Sequence, residues 1–162
     1  MYCGLFSFAN GAKISNVITS GYISPTNDHE WTGGIVGYSV YTEIYNCINM
    51  ADIKVGYVCV GGIAGHFQSG KIVNCINFGN INTYFKDIND NAVGGIVGHF
   101  YFGTIMNCFN AGSISSNENV GGIVGMLERN DFELKNCINN GIIEARNNTT
   151  NRKDAIVGNR IY

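Results

Sequence analysis

The segment from Gly62 to Ile81 is restated about five times along the chain, and internal repetition of this kind constrains the fold before any other feature is weighed. Without gaps, residues 4–23, 34–53 and 95–114 align onto it, and a further copy at 122–143 carries two extra residues near Asn130. A sixth copy begins at Ala155. The repeats fall at about 4–32, 33–60, 61–93, 94–120 and 121–153, with a partial one at 154–162, so residues 1–162 read as one repeat domain. Copies lie 27 to 33 residues apart, the length of one supersecondary unit.

Within a unit the clusters Gly-Ile-Val-Gly, Ile-x-Asn-Cys-Ile-Asn and Gly-x-Ile are short, rich in β-branched residues and separated by Gly or Asn, which is the pattern of strands. No window carries a sustained helical stripe with caps. The expected fold is therefore all-β: a β-solenoid (β-helix) of about five coils, with roughly three short strands per coil. Rungs at the ordinary strand spacing of ~4.8 Å would turn each aligned column into a ladder of like side chains. The ladders Ile14, Ile44, Ile72, Ile105, Leu134 and Ile23, Ile53, Ile81, Ile114, Ile143 are uninterrupted and belong inside. The position after the first ladder holds Ser15, Tyr45, Val73, Met106 and Lys135, and the lysine marks it as outward.

Two asparagine columns, Asn16, Asn46, Asn74, Asn107, Asn136 and Asn49, Asn77, Asn110, Asn139, suit corners. Asn tolerates left-handed backbone angles and can hydrogen-bond to its counterpart one rung away. The column Gly21, Ala51, Gly79, Gly112, Gly141 suits a tight bend with no room for a side chain or with positive φ. Coil length varies almost wholly between the Gly-x-Ile strand and the next glycine box, so insertions emerge on one face.

Composition narrows the function classes. A net charge of -2 with 14% charged residues argues against a nucleic-acid partner, which needs clustered Lys and Arg. The longest nearly uncharged apolar stretch, residues 55–64, falls well short of the ~20 residues that span a bilayer, so no membrane insertion is expected. The opening residues lack a positive n-region and already belong to the first repeat, so no leader peptide is visible.

With the boxes at 33–37, 61–65, 94–98 and 121–125 each followed by its Asn-Cys box, the repeats resemble GLUG motifs. Those motifs recur in bacterial surface and secreted proteins and in the non-catalytic part of immunoglobulin-A-cleaving zinc metallopeptidases. The first repeat departs from the pattern, with Leu5, Phe6, Ser7 and Val17 in place of box residues. The resemblance implies a surface repeat module, extracellular or on the bacterial cell surface, and carries over no catalytic residue.

The candidate chemistry is sparse. Cys47, Cys75, Cys108 and Cys137 share one column, which reads as a reduced ladder of small buried residues, with Cys3 and Cys59 as buried fillers. No Cys-x-x-Cys pair suggests zinc. His66 and His99 occupy one column with Phe8, Tyr38, Met126 and Asn159. They are the candidate pair for a shared metal, but the repeat pattern offers no third ligand, so no metal and no cofactor are expected. Asp87, Asn89, Asp90 and Asn91 form an oxygen-rich stretch whose charge and spacing do not fit calcium and which reads as a solvated turn. Asn147 and Asn148 match glycosylation sequons. Paired carboxylates, a Ser or Cys with His, and His-Glu-x-x-His are all missing from the pattern, so the segment is not expected to be an enzyme.

The expected role is a structural or adhesion module of a larger cell-surface or secreted protein. The alternatives are a non-catalytic region of a large secreted zinc peptidase and a glycan-binding or glycan-processing β-helix. Any host or matrix protein or glycan would be met by the loop face at Tyr84, Phe85, Lys86 and Asp87, joined by Trp31 and His29, because aromatics on long loops are common contact groups. The plainer reading has Tyr84 and Phe85 covering the open side of the core. Bare terminal rungs call for flanking repeats or end-to-end self-association.

Overall fold

The computed structural model describes residues 1–25, 31–56, 58–84, 91–117, 119–146 and 153–160. The chain winds as a succession of short strands into a β-solenoid of about five turns, and every strand pairing is parallel, each coil hydrogen-bonding to the coil before and after it. Four sheets run the length of the stack. Sheet I is built from Tyr2–Cys3, Trp31–Gly33, Cys59–Gly61, Ala92–Gly94, Val120–Gly121 and Lys153–Asp154. Sheet II holds Phe6–Asn10, Val36–Val40, Ala64–Phe67, Val97–Phe100, Val124–Leu127 and Val157–Arg160. Sheet III holds Lys13–Ser15, Thr42–Tyr45, Gly70–Val73, Gly103–Met106 and Phe132–Lys135. Sheet IV begins with Ile18–Ile23 and Ile48–Val55, and in later coils each strand divides in two, as in Ile76–Asn77 and Ile81–Thr83.

A coil thus contributes four or five strand segments, more than the roughly three expected. The extra one comes from the glycine box, which splits at its centre and folds back on itself. A Cβ on Gly61 would lie 2.0 Å from the Ala64 carbonyl oxygen, and one on Gly65 would lie 2.5 Å from the Thr32 amide nitrogen. Sheets I and II therefore meet backbone to backbone, at a separation that only glycine allows. The second glycine of each box faces an asparagine instead: a Cβ on Gly62 would fall 2.3 Å from Asn77 Cγ.

Like residues stack on like throughout. Ile14, Ile44, Ile72, Ile105 and Leu134 pair in register along sheet III, and Ile23, Ile53, Ile81, Ile114 and Ile143 along sheet IV. The first ladder, with the box residues Ile35, Ile63, Ile96 and Ile123 and the rings of Phe67 and Phe100, forms the main core. The second forms a smaller core with Val60, Val93 and Val120 of sheet I. Burying an Ile or Phe side chain contributes about 1.5–3 kcal/mol, comparable to the cost of ordering one or two residues of backbone, so a coil is stable only when its neighbours cover it. The column Ser15, Tyr45, Val73, Met106, Lys135 faces outward, as the lysine required.

The Asn16 column has φ between 52° and 58° at every rung, the left-handed corner expected of it. The Asn49 column does not turn a corner. It lies inside, with Asn49, Asn77 and Asn110 fully buried. In the glycine column, positive φ occurs only at Gly21; Gly79, Gly112 and Gly141 are required because a Cβ would sit 2.0 Å from the carbonyl oxygen of the coil before. Among the described residues no helix is long and apolar enough to cross a membrane.

Candidate functional site

Three side-chain columns carry the chemistry of the stack: the inner asparagines, the cysteines and the aromatic-histidine seam. In the inner column, Asn49 Nδ2 donates to Asn77 Oδ1 (2.7 Å), Asn77 to Asn110 (2.8 Å) and Asn110 to Asn139 (2.7 Å). Each amide also donates to the carbonyl two residues ahead in its own coil, at 2.9–3.0 Å. The N-terminal end of the ladder is closed by Thr19, whose hydroxyl donates to Asn49 Oδ1 at 2.8 Å in the one coil that lacks the asparagine. A buried amide in an apolar core is tolerated only when its donors and acceptors are matched, and here the neighbouring rungs match them. The outer column, Asn46, Asn74, Asn107 and Asn136, is exposed and makes longer bonds of 3.1–3.4 Å that run in the opposite sense, toward Asn16.

The cysteine column is reduced. Cys47, Cys75 and Cys108 are buried, Cys137 is half-buried, and all six cysteines of the chain are free thiols. Each column thiol points at backbone carbonyls: Cys75 Sγ lies 3.4 Å from the Val73 oxygen and 3.7 Å from that of Ile44. Adjacent thiols together with burial push Cys47 and Cys108 far above the ordinary range, so these groups are protonated at physiological pH. Of the two cysteines outside the column, Cys59 is buried and Cys3 only half-buried.

The third column lies where sheets I and II open out beyond their glycines. Tyr2 stacks on Trp31 at 4.9 Å with the rings 7° from parallel, Trp31 meets Tyr38 at 4.7 Å and His66 at 4.6 Å, and His66 meets His99 edge-on at 4.6 Å. Further along, Met126 packs with Cys59 and Ala92. His66 and His99 are thus adjacent in register, as their shared column implied. Their surroundings do not resemble a metal centre: among the described residues no group of three His, Cys, Asp or Glu side chains is arranged to hold a metal ion. His66 is 9% exposed, its Nδ1 has no hydrogen-bond partner, and burial followed by the neighbouring His99 lowers its pKa to about 3. It is a neutral imidazole packed as an aromatic. His99 has a carboxylate oxygen of Glu128 2.7 Å from its Nε2. Glu128 opens the two-residue insertion, in which Arg129 pairs with Asp131 (3.1 Å) and lies over the Tyr101 ring at 5.5 Å.

Of the proposed contact face, Tyr84 is half exposed, and its ring lies over Gly56 of the preceding coil. Trp31 is half-buried and held in the aromatic seam with rings on both sides. Phe85, Lys86, Asp87 and His29 lie outside the described residues, as do Asp90, Asn89, Asn147 and Asn148. Asn91 is buried, and its carbonyl accepts from Asn119 Nδ2 at 2.7 Å. Arg146 reaches across two coils to donate to the Thr83 carbonyl and to Asn82 Oδ1, both at 2.8 Å, beside Tyr84.

Sequence reasoning passed over the column Ile18, Ile48, Ile76, Phe109, Ile138, which faces outward on sheet IV. The signal was present: each follows an inward Cys or Val and precedes an inward Asn or Thr, and strand alternation then turns it outward.

The coil is a parallel β-solenoid repeat whose corners are set by left-handed asparagines and whose interior is tied by an amide ladder. The family described as the GLUG motif matches residues 89–115, which include the glycine box at 94–98 and reach the Gly-x-Ile strand Ile114–Ser116 of the same coil. The same boxes stand above and below the matched copy in register, so neighbouring coils repeat the matched motif. No curated protein and no solved structure matches it.

Proposed function

We propose that this chain is a non-catalytic scaffold and adhesion module of a larger bacterial cell-surface or secreted protein. The observation that supports this reading most is the continuity of the three ladders through successive coils, because a stack tied along its axis by core, amide and backbone bonds makes a stiff spacer. Coil length varies almost wholly in the connections from sheet IV to sheet I, the exception being the two-residue insertion near Asn130 between sheets II and III. Such connections are free to diversify contacts while the rod stays constant. The contact partner in this reading is a host or matrix protein or a glycan, engaged near Tyr84 and the adjoining Phe85, Lys86 and Asp87.

The test is an array of glycans and matrix proteins probed with the domain and with a Tyr84→Ala, Phe85→Ala double variant, alongside antibody labelling of intact cells that make the parent protein. Surface labelling together with a ligand lost in the double variant is the expected result. A parent protein confined to the cytosol, or binding equal in both forms, contradicts the proposal.

A further inference from the structure

Sheet IV turns an apolar surface to solvent. The column Ile18, Ile48, Ile76, Phe109, Ile138 faces outward, with Ile18 65% and Ile138 61% exposed. Beside it stand Met50 and Phe78, 55% and 49% exposed. A contiguous row of large apolar side chains on one flat face is unusual for a surface that meets only water. The next column, Tyr22, Asp52, Asn80, Ser113 and Ile142, is mixed: the Asp52 carboxylate accepts from the Asn80 backbone N–H at 2.7 Å and its side-chain amide at 3.1 Å, while Tyr22 and Ile142 are 62% and 75% exposed. Beyond it runs the column Lys54, Asn82, Ser115, Glu144, one residue from each of the second to fifth coils, with a cation at one end and an anion at the other.

We infer that this face is a self-association surface on which a second copy of the chain packs with its solenoid axis reversed. The argument is one of symmetry. A two-fold axis lying in the face along the strand direction keeps every column over its own copy and reverses the order of the rungs, giving an isologous contact. With the axis between the third and fourth coils, Lys54 lies opposite the partner's Glu144, and Glu144 opposite the partner's Lys54. The same axis sets Ile76 over the partner's Phe109, Ile48 over the partner's Ile138, and Phe78 over the partner's Ala111, large against small. A shift by one rung loses both ion pairs. The face spans about four to five rungs of ~4.8 Å by six or seven residues of ~3.3 Å, a small area by the standard of specific interfaces, so the dimer is expected to be weak and concentration-dependent.

Sedimentation equilibrium and light scattering on the whole chain over roughly 1–200 µM test this. The mass is expected to rise from 17.6 kDa to twice that value and to stop there. Lys54→Glu and Glu144→Lys each place like charges opposite one another and are expected to weaken the dimer about tenfold or more, while the double reversal restores it to within about threefold. Both residues are exposed; Glu144→Lys also removes the exposed 2.8 Å hydrogen bond that Glu144 accepts from the Ser115 hydroxyl, so retention of the β circular-dichroism signal is checked for each variant. Phe109→Asp is expected to abolish the dimer with the β circular-dichroism signal retained. A monomer at every concentration overturns the proposal, and so does a dimer indifferent to both charge reversals. Open-ended growth past two copies, insensitive to these changes, places the contact at the solenoid ends and equally overturns it.

Discussion

Asn74 and Asn77 stand three residues apart in one coil and do opposite jobs. Asn74 is exposed with φ 56°, and its side chain donates to Asn46 and accepts from Asn107, both at 3.2 Å and both open to competing water. Its value is conformational, so Asn74→Gly should be nearly neutral and Asn74→Ala should cost about 1 kcal/mol, the penalty of left-handed angles for a residue with a Cβ. Asn77 is fully buried, donates to Asn110 and to the Gly79 carbonyl, and accepts from Asn49. Asn77→Ala leaves Asn49 without an acceptor and Asn110 without a donor, so the expected loss is about 2–4 kcal/mol. Urea unfolding of the three variants checks both numbers; equal losses for Asn74→Ala and Asn77→Ala would erase the distinction. Both columns are visible in the sequence, but both read as corners. Residue type alone does not distinguish an amide needed for its backbone angle from one needed for its hydrogen bonds, because Asn serves either.

At the scale of elements, the glycine box and the seam beyond it are one construction. The box presses sheet I against sheet II, and the seam begins where side chains fit again. Gly62→Ala would put a Cβ 2.2 Å from the Gly95 carbonyl oxygen and 2.3 Å from Asn77 Cγ, and neither neighbour can withdraw without breaking a ladder. A loss of about 3 kcal/mol or more, or failure to fold, is expected in thermal denaturation. In the seam, His66 has its pKa lowered to about 3 by burial and by His99, against about 6.5 for an unfolded histidine. Between those values the unfolded chain binds a proton that the folded chain does not, so stability present above pH 6.5 is lost as pH falls, by at most about 1.4 kcal/mol per pH unit. His66→Phe should flatten the wild-type stability profile between pH 6.5 and 4. Profiles that fall in parallel would show that His66 does not titrate on unfolding. That the two histidines stack was legible from their shared column. The Glu128 carboxylate beside His99 was not, because its column holds Gln68 and Tyr101 in the coils before it and so repeats no charge that would mark it.

For the whole molecule, repetition made the architecture legible: like residues recurring at one spacing must lie over one another in successive coils, and the registers of Ile44 on Ile72 on Ile105 follow directly, although an apolar column does not by itself reveal its direction, since the column of Ile48, Ile76 and Phe109 faces outward. The number of sheets was not legible, since glycine in a box can mean a turn, a positive φ or a close approach, and only the fold shows that Gly61 and Gly65 serve the last. The stack also predicts which thiols are sheltered. A disulfide reagent added to the native protein should label Cys137 and Cys3 and spare Cys47, Cys59, Cys75 and Cys108 until denaturant is added. Labelling of all six at one rate would mean that the column is not an interior ladder.

The most direct test of parallel stacking is proton NMR on the labelled chain, reading contacts between amide and α protons of neighbouring strands. Parallel coils predict contacts between residues 27 to 33 positions apart, such as the Ile76 amide with Cys47, whose carbonyl accepts from that amide at 2.9 Å. Contacts that instead join strands of the same coil in mirrored order, as antiparallel hairpins do, would contradict the account.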